Sequence, residues 1–244
     1  MSRVLVVIPA RLQSTRLPDK PLADIGGIPM IVRVWRRAMA AAVGRVVVAT
    51  DADSVVAAVR GAGGEAVMTR PDHVSGSDRV FEAVSQVDPD RQYDFVLNLQ
   101  GDLPGMDADL PRQCLAPVQQ QGPDIATIAA EMTNASDWTN PNSVKVVATP
   151  TGVPRRLRAL YFTRATAPHG PGPLLHHFGM YAYRRAALER FVSLKPSPLE
   201  VREQLEQLRA LEDGMRIDVT LVDSIPVEVN TPEDLEFARR VLAA

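Results

Sequence analysis

Residues 3–20 read RVLVVIPARLQSTRLPDK, an almost continuously apolar run from Arg3 to Ile8 that passes directly into a loop holding Arg11, Arg16 and Lys20. So many β-branched residues without polar alternation predict a central parallel strand covered on both faces. Ligands of an open α/β sheet sit beyond the carboxyl ends of its strands, so three cations following such a strand predict a polyphosphate site. The stretch holds neither G-x-x-x-x-G-K-[ST] nor G-x-G-x-x-G, so phosphate would be held by Arg and Lys forks more than by a glycine cradle.

Working outward, short apolar runs recur at 45–50, 93–99, 125–130, 144–149 and 216–222, with helical patterns between the earlier ones. That alternation predicts βαβ units and a mostly parallel sheet. Met30, Ile31, Val34, Trp35 and Ala38 share one helical face; Asp53 to Val59 and Ser77 to Val87 read as further helices, the latter with Val80, Val84 and Val87 at helical spacing. Residues 134–177 break the rhythm with Asn, Pro, Gly and Arg, and His177 to Tyr183 then reads as a strand alternating between two faces. The length of 244 residues suits a single domain, 1–244, in which about 134–195 forms an insertion subregion. Leu199 to Leu211 reads as one amphipathic helix with Val201, Leu205 and Leu208 inward, ended near Gly214. Thr231-Pro232-Glu233-Asp234 supplies a cap hydroxyl, a first-turn proline and two acids for the last helix.

A net charge of −2 and a pI near 6.1 leave no global basic field for nucleic acid or an anionic membrane, so the cations of the first loop are a local feature. Cys114 is the only cysteine, which excludes an internal disulfide and multi-cysteine zinc sites and fits a reducing compartment. The first apolar run is too short for a signal peptide, and no stretch approaches the roughly 20 apolar residues of a membrane span. The expectation is a cytoplasmic protein with no membrane insertion.

Four strand ends close on polar residues: Pro9-Ala10-Arg11, Thr50-Asp51, Gln100-Gly101-Asp102, and Asn230 before Thr231. Such ends converge on one crevice, and a carboxylate facing a phosphate loop calls for a divalent cation held by both. Taken alone, Gln100-Gly101-Asp102 reads equally as a strand-ending turn.

Together with VATD (48–51), MTRPDHVSGSDR (68–79), NLQGD (98–102), NPNSVKVV (140–147), YFTRATAP (161–168), HFGMYAYR (177–184), PSPLE (196–200) and EQLR (206–209), the first stretch resembles the 3-deoxy-D-manno-octulosonate (Kdo) cytidylyltransferases, or CMP-Kdo synthetases, nearly end to end. The resemblance implies a three-layer α/β/α Rossmann-like fold of the nucleotide-diphospho-sugar transferase type and a homodimer with a dimerisation role for the subregion. It also implies transfer of CMP from CTP to Kdo with release of pyrophosphate, for lipopolysaccharide biosynthesis, with Mg²⁺ as cofactor.

By the same resemblance Pro9, Ala10, Arg11, Arg16 and Lys20 hold the nucleotide and its phosphates, with Arg11, Lys20 and Asp102 the catalytic set. Ser75, Gly76, Ser77 and Arg79 form the cytosine-side loop, which reads equally as a capped helix start. Gln100, Arg164, His177, Tyr181, Glu206 and Gln207 are implied for the sugar acid. Read by themselves, Glu206 and Gln207 are solvated helix residues and His177 a structural one. Asp102 and position 230 are the implied metal ligands, but where the family reads Gly-Val-Asp-Thr-Pro-Glu-Asp this chain reads Glu228-Val229-Asn230-Thr231-Pro232-Glu233-Asp234, exchanging a carboxylate for an amide. Glu228, two residues back, is a candidate to compensate, and Leu103 stands where an acid often follows Gln-Gly-Asp. Two alternatives follow: a cytidylyltransferase for a related sugar acid (8-amino-Kdo or a sialic-acid-like substrate), or a CTP-binding homologue with catalysis weakened by Asn230.

Overall fold

The computed structural model describes residues 3–12, 17–120, 122–223 and 225–242. They form two compact units, Met1–Arg112 with Pro226–Ala244, and Gln113–Ile225. The first runs β1 (Val4–Ala10), a short hairpin of β2 (Asp24–Ile25) and β3 (Ile28–Pro29), α1 (Met30–Ala40), β4 (Arg45–Thr50), α2 (Asp53–Gly61), β5 (Glu65–Met68), α3 (Gly76–Val87) and β6 (Phe95–Leu99). Helix α4 (Leu110–Gln119) leads into the second unit. There the chain forms β7 (Ile125–Glu131), β8 (Lys145–Pro150), β9 (Arg156–Thr163), β10 (Leu175–Arg184), α5 (Arg185–Ser193), α6 (Pro198–Glu203), α7 (Leu208–Glu212) and β11 (Ile217–Leu221). Helix α8 (Pro232–Leu242) belongs again to the first unit.

In the first unit the strands lie in the order β5-β4-β1-β6, all parallel, as the opening stretch predicts. Leu5, Val6, Val7 and Ile8 are wholly buried, each contributing about 1.5–3 kcal/mol of apolar burial. The chain leaves β1 in one direction to β4 and β5 and returns to its other side with β6, so the topological switch point lies between β1 and β6. The loops after those two strands carry Arg11 and Asp102. Met30, Ile31, Val34 and Ala38 of α1 are buried as the spacing predicts, and Val32 joins them. Helix α3 begins at Gly76 behind a complete capping box between Ser75 and Asp78. Asp234 accepts from the backbone of Thr231 at 2.8 Å while the Thr231 hydroxyl accepts from Asp234 N at 3.2 Å, which caps α8. Val229, Leu235 and Ala238 pack with Ile25 and Met30, anchoring the segment around Asn230.

The second unit is mixed. Its strands run β10-β7-β11-β9-β8; β7 and β11 are parallel, and the other neighbours antiparallel. The return from β8 to β9 is a tight turn in which Gly152 and Arg155 take positive φ, so no crossover helix is needed. Strand β9 went unseen in the sequence because its arginines interrupt any apolar run, and β5 because four residues carry little pattern.

Two expectations are corrected. The single helix over 199–211 is broken into α6 and α7 at Gln204, which adopts φ 55°, so Val201 is exposed while Leu205 and Leu208 are buried. The alternation over 177–183 is interrupted by a bulge between Phe178 and Tyr181, and Tyr181 and Tyr183 are both buried. Cys114 is buried on α4, where burial pushes its thiol pKa up and leaves it unreactive. Among the described residues no helix is long and apolar enough to cross a membrane.

Candidate active site

In the first unit the candidate site grows from the ends of β1, β4 and β6. Pro9 is half-buried and Ala10 buried at the end of β1, and Arg11 beyond them is exposed. Arg16 lies outside the described residues. Gly101 sits at a close approach: a Cβ there would stand 3.1 Å from the Pro9 carbonyl oxygen and 3.4 Å from Ile31 Cδ1. Its absence lets the Gln100-Gly101-Asp102 turn close over the end of β1, with Gln100 half-buried. Leu103, buried at 1 % exposure, belongs to the core rather than to a polar shell.

Arg79 is buried, and its role is specific. Nη2 donates to Asp51 Oδ2 at 2.8 Å and Nη1 to Thr69 Oγ1 at 2.6 Å. Asp51 Oδ1 in turn accepts from Leu12 N at 3.2 Å. The guanidinium therefore fixes the carboxylate that holds the cationic loop where it leaves β1. Ser75 and Gly76 form the capped start of α3, and Ser77 is buried with its hydroxyl 3.5 Å from Asn98 Nδ2. The sequence marks Asp51 as a strand-end residue and Thr69 only as part of the MTR string; neither is legible there as a contact of Arg79.

The acidic end of this unit centres on Lys20, whose Nζ donates to Asp102 Oδ2 at 3.0 Å and to Asn230 Oδ1 at 3.2 Å. Asn230 Nδ2 donates to Glu228 Oε1 at 2.7 Å. Burial, with Asp102 nearby, pushes the Glu228 carboxyl up to about 7. The other Asp102 oxygen, Oδ1, is buried without a hydrogen-bond partner. A carboxylate and an amide oxygen that converge on one cation, with a spare buried carboxylate oxygen beside them, are hard donors that fit Mg²⁺. Among the described residues no three His, Cys, Asp or Glu side chains group to hold a metal by themselves, so the remaining ligands would be phosphate oxygens and water.

The residues implied for a sugar acid, apart from Gln100, lie in the second unit. His177 Nε2 is 3.0 Å from Thr127 Oγ1, and that hydroxyl also approaches the Met180 carbonyl at 2.8 Å. The hydroxyl has one proton, which goes to the carbonyl, so His177 donates from Nε2 and keeps Nδ1 as an acceptor. Burial, with His176 alongside, lowers its pKa to about 3 and holds the ring neutral. Its ring meets Phe162 edge-on at 4.9 Å and lies 5.4 Å from that of Tyr181. Burial, with Glu206 nearby, raises the Tyr181 phenol. Gln207 is buried and its Nε2 lacks a hydrogen-bond partner. The break after α6, unseen in the sequence, places Glu206 and Gln207 in a turn instead of on a solvated helix face.

Arg164 binds its own surroundings. Nε donates to Glu203 O at 2.8 Å, Nη1 to Pro141 O at 2.9 Å and Nη2 to Gln204 O at 3.4 Å, engaging three of the five N–H donors of a guanidinium. Glu203 accepts from Arg164 N, Thr163 and Tyr161; burial opposes its charge, but these bonds outweigh it and hold the carboxyl below its usual range. Lys145, wholly buried, donates to the carbonyls of Asn140 and Arg164 at 2.8 and 3.2 Å. Glu203 and Lys145 thus position Arg164; of the two only Lys145 lies in a quoted string, and nothing in the sequence marks Glu203.

The cytidylyltransferase family matches residues 5–217, which sets the class of enzyme as a nucleotidyltransferase. The chain is 64% identical over 243 residues to the 3-deoxy-manno-octulosonate cytidylyltransferase of Azorhizobium caulinodans, spanning 100% of this chain and 97% of that one. To the protein of the same name from Bradyrhizobium sp. (strain ORS 278) it is 62% identical over 242 residues, 99% and 98% of the two chains. A solved structure of CMP:2-keto-3-deoxy-manno-octonic acid synthetase complexed with CTP matches with a TM-score of 0.89 at 39% identity over 99% of both chains. This chain therefore belongs to the 3-deoxy-manno-octulosonate cytidylyltransferases. The structural match bears out the expected nucleotide-diphospho-sugar transferase type of α/β fold.

Proposed function

We propose that this protein transfers CMP from CTP to Kdo, releasing pyrophosphate and supplying CMP-Kdo for lipopolysaccharide biosynthesis. The single observation that carries the reading is the convergence of Asp102 and Asn230 oxygens on the Lys20 ammonium at the switch point of a parallel sheet, in a chain with CMP-Kdo synthetase relatives. The sugar hydroxyl attacks the α-phosphorus, and the protein's work is to position both substrates and offset the phosphate charge. Arg11, Arg16 and Lys20 grip the phosphates, while Pro9, Ala10 and the Ser75-Gly76-Ser77 helix start border the nucleoside. Arg79 acts on that site through Asp51.

Asp102 and Asn230 would hold Mg²⁺ together with phosphate oxygens, and when bound it supplies charge neutralisation and a lowered pKa for the attacking hydroxyl. Gln100, Arg164, His177, Tyr181, Glu206 and Gln207 receive the sugar acid. The remaining N–H groups of Arg164 suit its carboxylate, and the buried Gln207 amide and His177 Nδ1 suit its hydroxyls.

We also treat residues 1–244 as one catalytic domain working as a cytoplasmic homodimer, with 134–195 as the dimerisation subregion. Trp138, Val153 and Leu160 are large, exposed and apolar within that stretch, which supports the dimer. Leu160→Asp should then shift the sedimentation coefficient toward the monomer.

Pyrophosphate release measured with CTP, Kdo and millimolar Mg²⁺ tests the activity. Turnover dependent on all three is expected, and faster release with 8-amino-Kdo or a sialic acid would reassign the sugar. CTP binding with no turnover on any of them would leave a binding homologue instead.

A further inference from the structure

We propose that Glu228 and Asn230 act as one ligand unit, in which the Glu228 carboxylate holds the Asn230 amide with its oxygen toward the divalent cation and supplies the negative charge that the amide lacks. The inference rests on the metal-dependent reading above and deepens it. Glu228 is a positioning residue here, because it reaches the cation only through its neighbour.

The backbone around Asn230 is locked on both sides. Val229 N donates to the Asp102 carbonyl at 2.9 Å, and Asn230 N to Asp234 Oδ2 at 2.9 Å. What remains undetermined by the backbone is which end of the side-chain amide faces inward. Nδ2 donates to Glu228 Oε1 at 2.7 Å, and Oδ1 faces Lys20 Nζ at 3.2 Å. The flipped amide would set its NH₂ against an ammonium and its oxygen against a carboxylate, both repulsive, so the network admits one orientation. That orientation directs Oδ1 toward the same ammonium that Asp102 Oδ2 meets at 3.0 Å. A charged acceptor on the amide N–H also polarises the group, placing more negative charge on its oxygen. The pair thus presents an oxygen ligand on one side chain, oriented and polarised by the carboxyl group of the other.

The test is Mn²⁺ uptake followed by electron paramagnetic resonance with saturating CTP and no Kdo, so that nothing turns over. Glu228→Ala should weaken Mn²⁺ binding about 10- to 100-fold, the range for groups that orient metal ligands. Glu228→Gln, which can still accept from Asn230, should weaken it less. Asn230→Asp alone sets two carboxylates against each other, and the double variant Glu228→Gln/Asn230→Asp restores a donor–acceptor pair of the original net charge. It should recover most of the affinity lost in Glu228→Ala. Wild-type affinity in Glu228→Ala, or a double variant weaker than both of its component single variants, would overturn the pairing while leaving the proposed reaction intact. Wild-type protein that takes up no Mn²⁺ with CTP would overturn both.

Discussion

Lys20 Nζ and Asp102 Oδ2 stand 3.0 Å apart although the residues are 82 positions distant in the chain, and each side chain keeps only 16% exposure. The ammonium occupies the place where two candidate cation ligands converge. Under the proposed function it meets the incoming phosphate, and its partner Asp102 retains a second, buried oxygen without a hydrogen-bond partner.

Lys20→Met should therefore cost catalysis much more than folding. Loss of one preorganised positive donor to a developing phosphate charge predicts a fall in kcat of about 10²–10³-fold. Steady-state pyrophosphate release at saturating CTP measures it, and a change confined to KM would contradict this role.

Arg79 and Asp51 make the opposite case, an ion pair whose main work is structural. Their side chains are 5% and 11% exposed. Arg79→Met strands a buried carboxylate and should lower unfolding stability by about 3–5 kcal/mol. Adding Asp51→Asn should return part of that loss, and urea denaturation of the single and double variants reads both.

Gly101→Ala brings a methyl group to 3.1 Å from the Pro9 carbonyl oxygen, where backbone must give way. We expect about 1–3 kcal/mol of destabilisation from overpacking, together with weaker CTP binding, because the displaced atoms end β1 at the cationic loop. Calorimetric titration with CTP and thermal unfolding check the two effects separately.

His177 makes stability fall in acid. Its pKa drops from 6.5 when unfolded to about 3 in the buried ring, so between those values the unfolded chain binds the extra proton. The stabilisation is whole above pH 6.5 and is lost as pH falls toward 3, at up to about 1.4 kcal/mol per pH unit. His177→Asn should flatten that part of the profile of unfolding free energy against pH, measured by denaturant titration from pH 4 to 7.

The strand that decides the first unit was legible because Leu5 to Ile8 must be buried on both faces, and only a covered parallel strand meets that demand. Helix α3 and helix α8 were legible from caps, since Ser75 with Asp78 and Thr231 with Asp234 satisfy orphan amides within four residues. Strand β9 and the break at Gln204 were not legible: one depends on partners far along the chain, the other on a single residue taking a left-handed conformation.

Sequence by itself determined the parallel α/β start, the family and the residue types offered to a nucleotide, because local hydrophobic patterning and motif order are properties of the chain. Tertiary structure alone decided that Arg79 serves Asp51, that Arg164 spends donors on nearby carbonyls, and that Glu228 turns the Asn230 amide toward Lys20. The physical reason is that a hydrogen bond's partner and direction are set by distances between segments, and those distances exist only once the backbone has closed around them.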